Sequence, residues 1–244
     1  MTKPGHEAPD PTTPRIRSGA MEWSILAELP TRERLAVLNL CSRLHVAQGE
    51  FVCRLGERGD RLFLLEAGHA LVETMTSEGD ISTFAVLGPG DVFGEQSLIS
   101  GLDRRTASVV SIEPLDLLYM TRREFEELSV AHPAVNRFLL TIMAARLEDV
   151  TSQLLEALYG SAEQRVLSSL KRLAHAYAAP HVGSGRIPLH QEQIASLAGT
   201  TRPTANRVLR DATRAGAIAL GRGYLVVVDS EVLDRLYSEA GPRR

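Results

Sequence analysis

Cysteine is scarce in this 244-residue chain, which holds only Cys41 and Cys53. Two thiols cannot build a disulfide scaffold, and their spacing matches no zinc or iron–sulfur ligand pattern. They read as reduced structural residues, with thiol control left open should a hairpin bring them together. None of the seven histidines falls in a ligand pattern either, so no metal is expected. Long apolar runs are missing: nothing reaches the roughly 18 consecutive apolar residues that cross a bilayer. Residues 1–20 hold no apolar segment of the kind a signal peptide needs. The expectation is therefore a cytoplasmic protein with no membrane partner. Residues 161–244 also lack a P-loop, a metal-ligand cluster and a nucleophile motif, which disfavours an enzyme governed by a nucleotide-binding unit.

What is present is ordinary in amount and uneven in arrangement. The 44% apolar and 23% charged fractions suit a soluble globular protein with ample core. Lysine occurs only as Lys3 and Lys171, so arginine carries almost all the positive charge. The formal charge of −3 hides an asymmetry: residues 161–222 contain nine Lys or Arg against three Asp or Glu. A basic final third on an acidic body is the charge footprint of a DNA-reading module.

Four prolines in the first fourteen positions, with almost no large apolar group, predict a disordered tail over residues 1–20. Apolar residues at helical spacing predict a helix within residues 21–40, with Thr31 as a plausible start. Short β-leaning runs follow at 43–46, 50–55, 62–67, 70–75, 82–87, 107–111 and 115–120, divided by glycine-rich turns. That spacing predicts an antiparallel barrel or roll over residues 21–132. Pro133 then suits the first turn of a long helix over residues 133–159. Leu140, Met143, Leu147, Val150, Leu154 and Ala157 recur along it at alternating intervals of three and four. A stripe this narrow reads as the seam of a parallel homodimer, although a helix packed on the roll would show a similar one.

Gly160 ends the helix and is a hinge candidate. It opens a unit over residues 160–244 that begins with the capping-box pattern Ser161-Ala162-Glu163-Gln164. Two helical stretches, 191–198 and 201–216, flank Gly199-Thr200, and a tight hairpin follows at 218–228. Together these predict a winged helix-turn-helix. At about 3.6 residues per turn, Ala205, Val208, Leu209 and Ala212 share one arc of the second helix. Arg202, Pro203, Asn206 and Arg207 share the other. Arginine suits guanine because its fork donates two hydrogen bonds, and Thr201 as N-cap leaves backbone N–H groups to face a phosphate. A small helical subdomain with a solvated basic face is the plainer alternative.

A second cluster runs from Phe93 to Ala107. Gly94 permits close approach of backbone to a ligand, and a short helical turn after it offers free N–H groups. Glu95 can accept from a ribose hydroxyl, while Arg105 and Thr106 can bind a phosphate. A plain Glu95–Arg105 salt bridge would use the same residues.

Taken with its order along the chain, this arrangement resembles the Crp–Fnr superfamily of bacterial transcription regulators over about residues 21–230. The matching stretches are Gly56-Glu57, Gly68, Gly88-Pro89-Gly90-Asp91-Val92-Phe93-Gly94-Glu95 and Arg105-Thr106-Ala107. Leu197 to Leu209 matches the helix-turn-helix. The resemblance implies an α+β fold: a cyclic-nucleotide-binding jelly roll, a long dimerisation helix and a winged helix-turn-helix. It implies cyclic AMP as effector, with no required cofactor, held by Gly94, Glu95, Arg105, Thr106 and Ala107. Counted without a gap, the family's two adenine-facing hydroxyl positions fall on Val150 and Thr151, so one hydroxyl is missing. The implied partners are double-stranded DNA carrying a palindromic operator, a second copy of the chain, and RNA polymerase. Pro203 stands where cyclic-AMP receptors of the family usually carry a base-contacting glutamate, so a different operator is expected. A degenerate pocket that leaves DNA binding independent of effector is the rival reading. Two cysteines are too few for the family's iron–sulfur branch.

Overall fold

The computed structural model describes Leu26 and residues 29–75, 78–99, 103–177 and 186–241. The tail predicted for residues 1–20 lies outside them. So does most of the stretch before Thr31. Helix α1 spans Thr31–Leu40 and is preceded by Pro30, so Thr31 is its first residue, without the capping hydrogen bond expected of a start.

Eight strands follow: β1 (Ser42–Val46), β2 (Phe51–Cys53), β3 (Arg61–Ala67), β4 (Ala70–Met75), β5 (Ile81–Leu87), β6 (Val92–Phe93), β7 (Ser108–Ser111) and β8 (Leu115–Thr121). They form two four-stranded sheets, in the orders β1-β8-β3-β6 and β2-β7-β4-β5. Every pairing is antiparallel. Side chains alternate across each strand, and the inward set from both sheets (Val46, Phe63, Leu65, Val72, Val109, Leu117) makes the core of the roll.

The roll is closed off by a helix the sequence reading did not foresee, α2 (Arg122–Ala131). It begins at a capping box in which Thr121 and Glu124 satisfy each other's backbone N–H groups. Helix α3 (Ala134–Tyr159) then turns Val135, Phe138 and Ile142 onto the roll, where they join Leu64, Leu98, Met120 and Phe125.

Gly160 takes an extended conformation and ends α3. The second unit comprises α4 (Ala162–Ala176), β9 (Arg186–Ile187), α5 (Gln191–Leu197), α6 (Arg202–Arg214), β10 (Ile218–Gly221), β11 (Tyr224–Val227) and α7 (Ser230–Glu239). The wing has three strands, β10-β11-β9, rather than the two of the predicted hairpin. Helix α7 is an addition to the expected elements, capped by the Asp229 carboxylate on the N–H groups of Glu231 and Val232. Its Leu233 is buried with α4 and α6.

Candidate effector pocket and DNA interface

The pocket is built around Arg105. Strand β6 ends at Gly94, whose left-handed φ of 79° turns the chain into a single helical turn, Glu95–Leu98. A Cβ at Gly94 would stand 2.5 Å from Arg105 Nη1, and one at Gly59 would stand 2.7 Å from Arg105 Nε. The guanidinium therefore lies in a slot that only two glycines leave open. Its Nη2 donates to the Arg61 carbonyl at 3.0 Å and its Nη1 to Ser97 Oγ at 3.4 Å. Its Cζ sits 5.4 Å from the centre of the Phe63 ring. Among the described residues, no carboxylate pairs with Arg105.

Glu95 is only 5% exposed, in the first position of the helical turn, and it makes no salt bridge with Arg105. Thr106 is exposed beside Arg105, and Ala107 is half-buried. Ser97 ties the slot together by donating to the Arg61 carbonyl at 2.8 Å. Arg122 holds the far side, donating to the Ser97 carbonyl at 2.5 Å and to Asp103 at 2.7 Å. Gly59, Arg61, Phe63 and Arg122 were not singled out in the sequence, because they come from separate strands and turns with no local pattern, and Ser97 lay within the cluster without a role assigned to it. Residues 100–102 of the matched cassette lie outside the described residues.

A cyclic nucleotide suits these groups. The ligand offers one phosphate charge, and Arg105 offers an unpaired guanidinium between backbone that can approach closely. Glu95 offers a buried acceptor for a sugar hydroxyl. Thr151 lies exposed on α3 next to Val150, beyond the stretch packed on the roll. The seam positions Leu140, Leu147, Val150 and Leu154 are 67%, 68%, 54% and 55% exposed, an apolar stripe left uncovered among the described residues. Met143 is different: it is half-buried against the roll cluster, at the edge of the stripe.

The two cysteines give thiol control no support. Cys41 packs with the α1–α3 cluster and Cys53 with the roll core, and both are free thiols. Burial pushes the Cys41 thiol up to about 12, with Glu124 and Glu66 adding to it. Burial also raises Cys53, against a smaller opposing effect of Arg105.

In the second unit Thr201 caps α6 by accepting from the Thr204 N–H. Ala205, Val208, Leu209 and Ala212 are buried on one face, while Arg202, Pro203 and Arg207 are exposed on the other. Asn206 departs from the predicted outward set. It is half-buried, and its Oδ1 is buried with no hydrogen bond, because the side chain falls at the border of the two arcs. Arg207 Nη1 stands 3.8 Å from both Glu163 and Asp211. The exposed face also carries Arg210, and the wing turn carries Arg222. Arg202, His190, Gly223 and Tyr224 line a shallow cavity of about 240 Å³ between α6 and the wing.

One residue links the hinge to this head. Arg165 donates to the Gly160 carbonyl at 3.0 Å, to Ala198 at 2.9 Å and to Gly199 at 3.2 Å. The end of α3 and the turn between α5 and α6 are thus fastened to the same side chain. No sequence pattern pointed to Arg165.

A nucleotide-suited roll joined by one long helix to a winged helix-turn-helix defines a DNA-binding transcription regulator. The comparisons agree. Residues 43–132 match the cyclic nucleotide-binding domain family and residues 164–236 the Crp-like helix-turn-helix domain. A CRP-like cAMP-activated global transcriptional regulator of Mycobacterium tuberculosis is 30% identical, over 77% of this chain and 84% of its own. The cyclic AMP receptor protein of Thermus thermophilus is 31% identical, over 85% and 93%. FixK2 from Bradyrhizobium japonicum shares the fold with a TM-score of 0.67 at 20% identity, over 80% of this chain and 96% of that one. The chain belongs to the Crp–Fnr superfamily of transcription regulators.

Proposed function

We propose that the protein is a cytoplasmic homodimer that binds cyclic AMP in the roll and uses it to control reading of a palindromic operator. Arg105 carries this reading: a guanidinium held between glycines against neutral oxygens lacks an anion, and a cyclic phosphate supplies one. Gly94 and the N–H groups after it approach the phosphate, Thr106 and Ala107 border it, and Glu95 accepts from the ribose. Thr151 meets the base from α3, with Val150 beside it giving contact but no hydrogen bond.

The exposed seam of Leu140, Leu147, Val150 and Leu154, with Met143 at its edge, pairs with its copy. Ligand that touches both roll and helix changes this packing and turns each head about Gly160. The recognition helices then stand about 34 Å apart, one turn of duplex. Arg202 and Arg207 read base edges in this arrangement, and Thr201 faces a phosphate. Pro203 fits the helix's first turn but offers no hydrogen bond to a base. RNA polymerase is the further partner of such a regulator.

Calorimetry with cyclic AMP and cyclic GMP tests the pocket. Arg105→Gln is expected to lower cyclic AMP affinity by roughly 10- to 100-fold, as loss of a charge-assisted contact requires. Unchanged affinity sinks the site. An operator titration with and without cyclic AMP tests the control: equal affinity in both would leave a DNA-binding regulator without effector gating. That second reading would rest on the missing hydroxyl at Val150.

A further inference from the structure

The head of residues 160–241 is fastened to the roll at a place remote from the hinge. Strand β5 is the free edge of its sheet. On that edge the Thr83 N–H donates to Ser196 Oγ at 2.8 Å, and the same hydroxyl donates back to the Thr83 carbonyl at 3.3 Å. An unpaired strand edge, elsewhere left to water, is here satisfied by α5 of the head. Next to it Leu71 and Val86 of the roll belong to the same apolar cluster as Leu173, Tyr177 and Ile194 of the head.

At this junction His69 is 0% exposed. Its ring lies flat on the Tyr177 ring, 3.6 Å between centres and 3° between planes. Nδ1 is bonded to the Glu113 carboxylate, and Nε2 stands 3.1 Å from the carbonyl oxygen of Ala176, the last residue of α4. Both partners are acceptors. A neutral imidazole has one N–H and would turn a lone pair on one of them, whereas an imidazolium donates to both. The other ionisable groups around the ring are few. Asp91, in the turn after β5, feels its charge, as well as Arg146 and Asp149 of α3. The Tyr177 phenol is kept protonated by burial and by Glu113.

We propose that His69 is a positioning residue: held between the Glu113 carboxylate of the roll and the last carbonyl of α4, it pins the head to the roll in the orientation that reads DNA. The docked side of the head is the end of α4 together with α5, and Arg202, Arg207 and Arg222 remain exposed. Docking therefore fixes the reading surface without covering it. The inference rests on the DNA-binding reading above and adds a fixed contact to the motion about Gly160.

The test uses the full-length protein and an operator selected by the wild type from random duplexes. Two quantities are followed: amide exchange of the peptide containing Thr83, and affinity for operator and random DNA. His69→Leu is expected to speed that exchange and to lower operator affinity roughly tenfold, the usual scale of coupling between sites. Random-duplex affinity should change less, since it does not need two heads in register. His69→Gln keeps one donor and should lie between, which guards against a leucine variant that fails to fold. Ser196→Ala, which removes the hydroxyl bonded to Thr83, should speed exchange as well. Unchanged Thr83 exchange and unchanged operator affinity in the His69 variants would overturn the proposal. So would tighter operator binding, because the docked pose would then be the one that withholds the head. A wild type that binds no duplex at all would instead overturn the DNA-binding reading itself, and this proposal with it.

Discussion

Arg105 and Arg207 are both partly exposed guanidiniums, yet they are held differently. Arg207 stands between Glu163 and Asp211, so a nucleic-acid acceptor must displace weak carboxylate contacts to engage it. Among the described residues, Arg105 has a carbonyl, a hydroxyl and an aromatic face for company and no carboxylate. An anion arriving there meets a preformed site with no charge to displace. The thiols make the opposite point, because burial removes chemistry. With Cys41 pushed up to about 12, almost none of it is thiolate at neutral pH, and only the thiolate is a nucleophile. Native protein is expected to alkylate at Cys41 far more slowly than unfolded protein, followed by mass spectrometry. Cys41→Ser and Cys53→Ser should leave operator affinity within about twofold of wild type, as substitutions remote from a binding surface do. Rapid native alkylation, or a band shift abolished by mild oxidant and restored by the Ser variants, would reinstate thiol control.

At the scale of elements, α2 shows both the reach of sequence reading and its blind spot. Seven of the eight strands of the roll were legible because glycine turns punctuate them, whereas the two-residue β6 was not. The two faces of α6 were legible because an apolar arc of Ala205, Val208, Leu209 and Ala212 has the helical period. Helix α2 was not, although Thr121-Arg122-Arg123-Glu124 has the spacing of a capping box. Thr121 is at once the last residue of β8 and the cap of α2, so no glycine or proline marks the change. The two-residue β9 is too short to show any period. The slot around Arg105 was half visible. Gly94, Glu95 and Arg105 stand in one recognisable cassette, whereas Gly59, Arg61, Phe63 and Arg122 meet them only through strand pairing. Thr121→Ala should cost about 1 kcal/mol of stability, the usual worth of an N-cap, in chemical denaturation at neutral pH. The hydrogen bonds from the Thr121 hydroxyl and backbone N–H hold the Glu124 carboxyl below its ordinary range. Its contribution is therefore present above the unfolded carboxyl pKa of about 4.3 and is lost as pH falls through the lower folded value. The wild type and Thr121→Ala should accordingly converge in stability on acidification. A constant difference down to about pH 2 would mean the cap acts without the carboxylate.

For the whole molecule the deciding element is α3, which has two apolar faces, only one of them packed among the described residues. Val135, Phe138 and Ile142 are spent on the roll. The second stripe, Leu140, Leu147, Val150 and Leu154, stays more than half exposed over about four turns. Exposed apolar surface of that length and period is the mark of an interface. Paired with its copy in parallel, it would place two heads on one duplex, and the gain is then largely one of effective concentration. Once one head is bound, the other faces its half-site as part of the same molecule, which raises overall affinity by roughly 10²- to 10⁴-fold. Leu147 is at the middle of the stripe, away from the roll and from the head, so Leu147→Glu should split the dimer and leave each unit folded. Sedimentation should show a monomer at micromolar concentration. Operator affinity should fall by roughly 10²-fold or more, while affinity for an isolated half-site, which engages a single head, should hardly move. If the variant remains a dimer, or if full-operator and half-site affinities fall together, the stripe serves something other than pairing. The two recognition helices would then have to be brought into register by a surface outside α3.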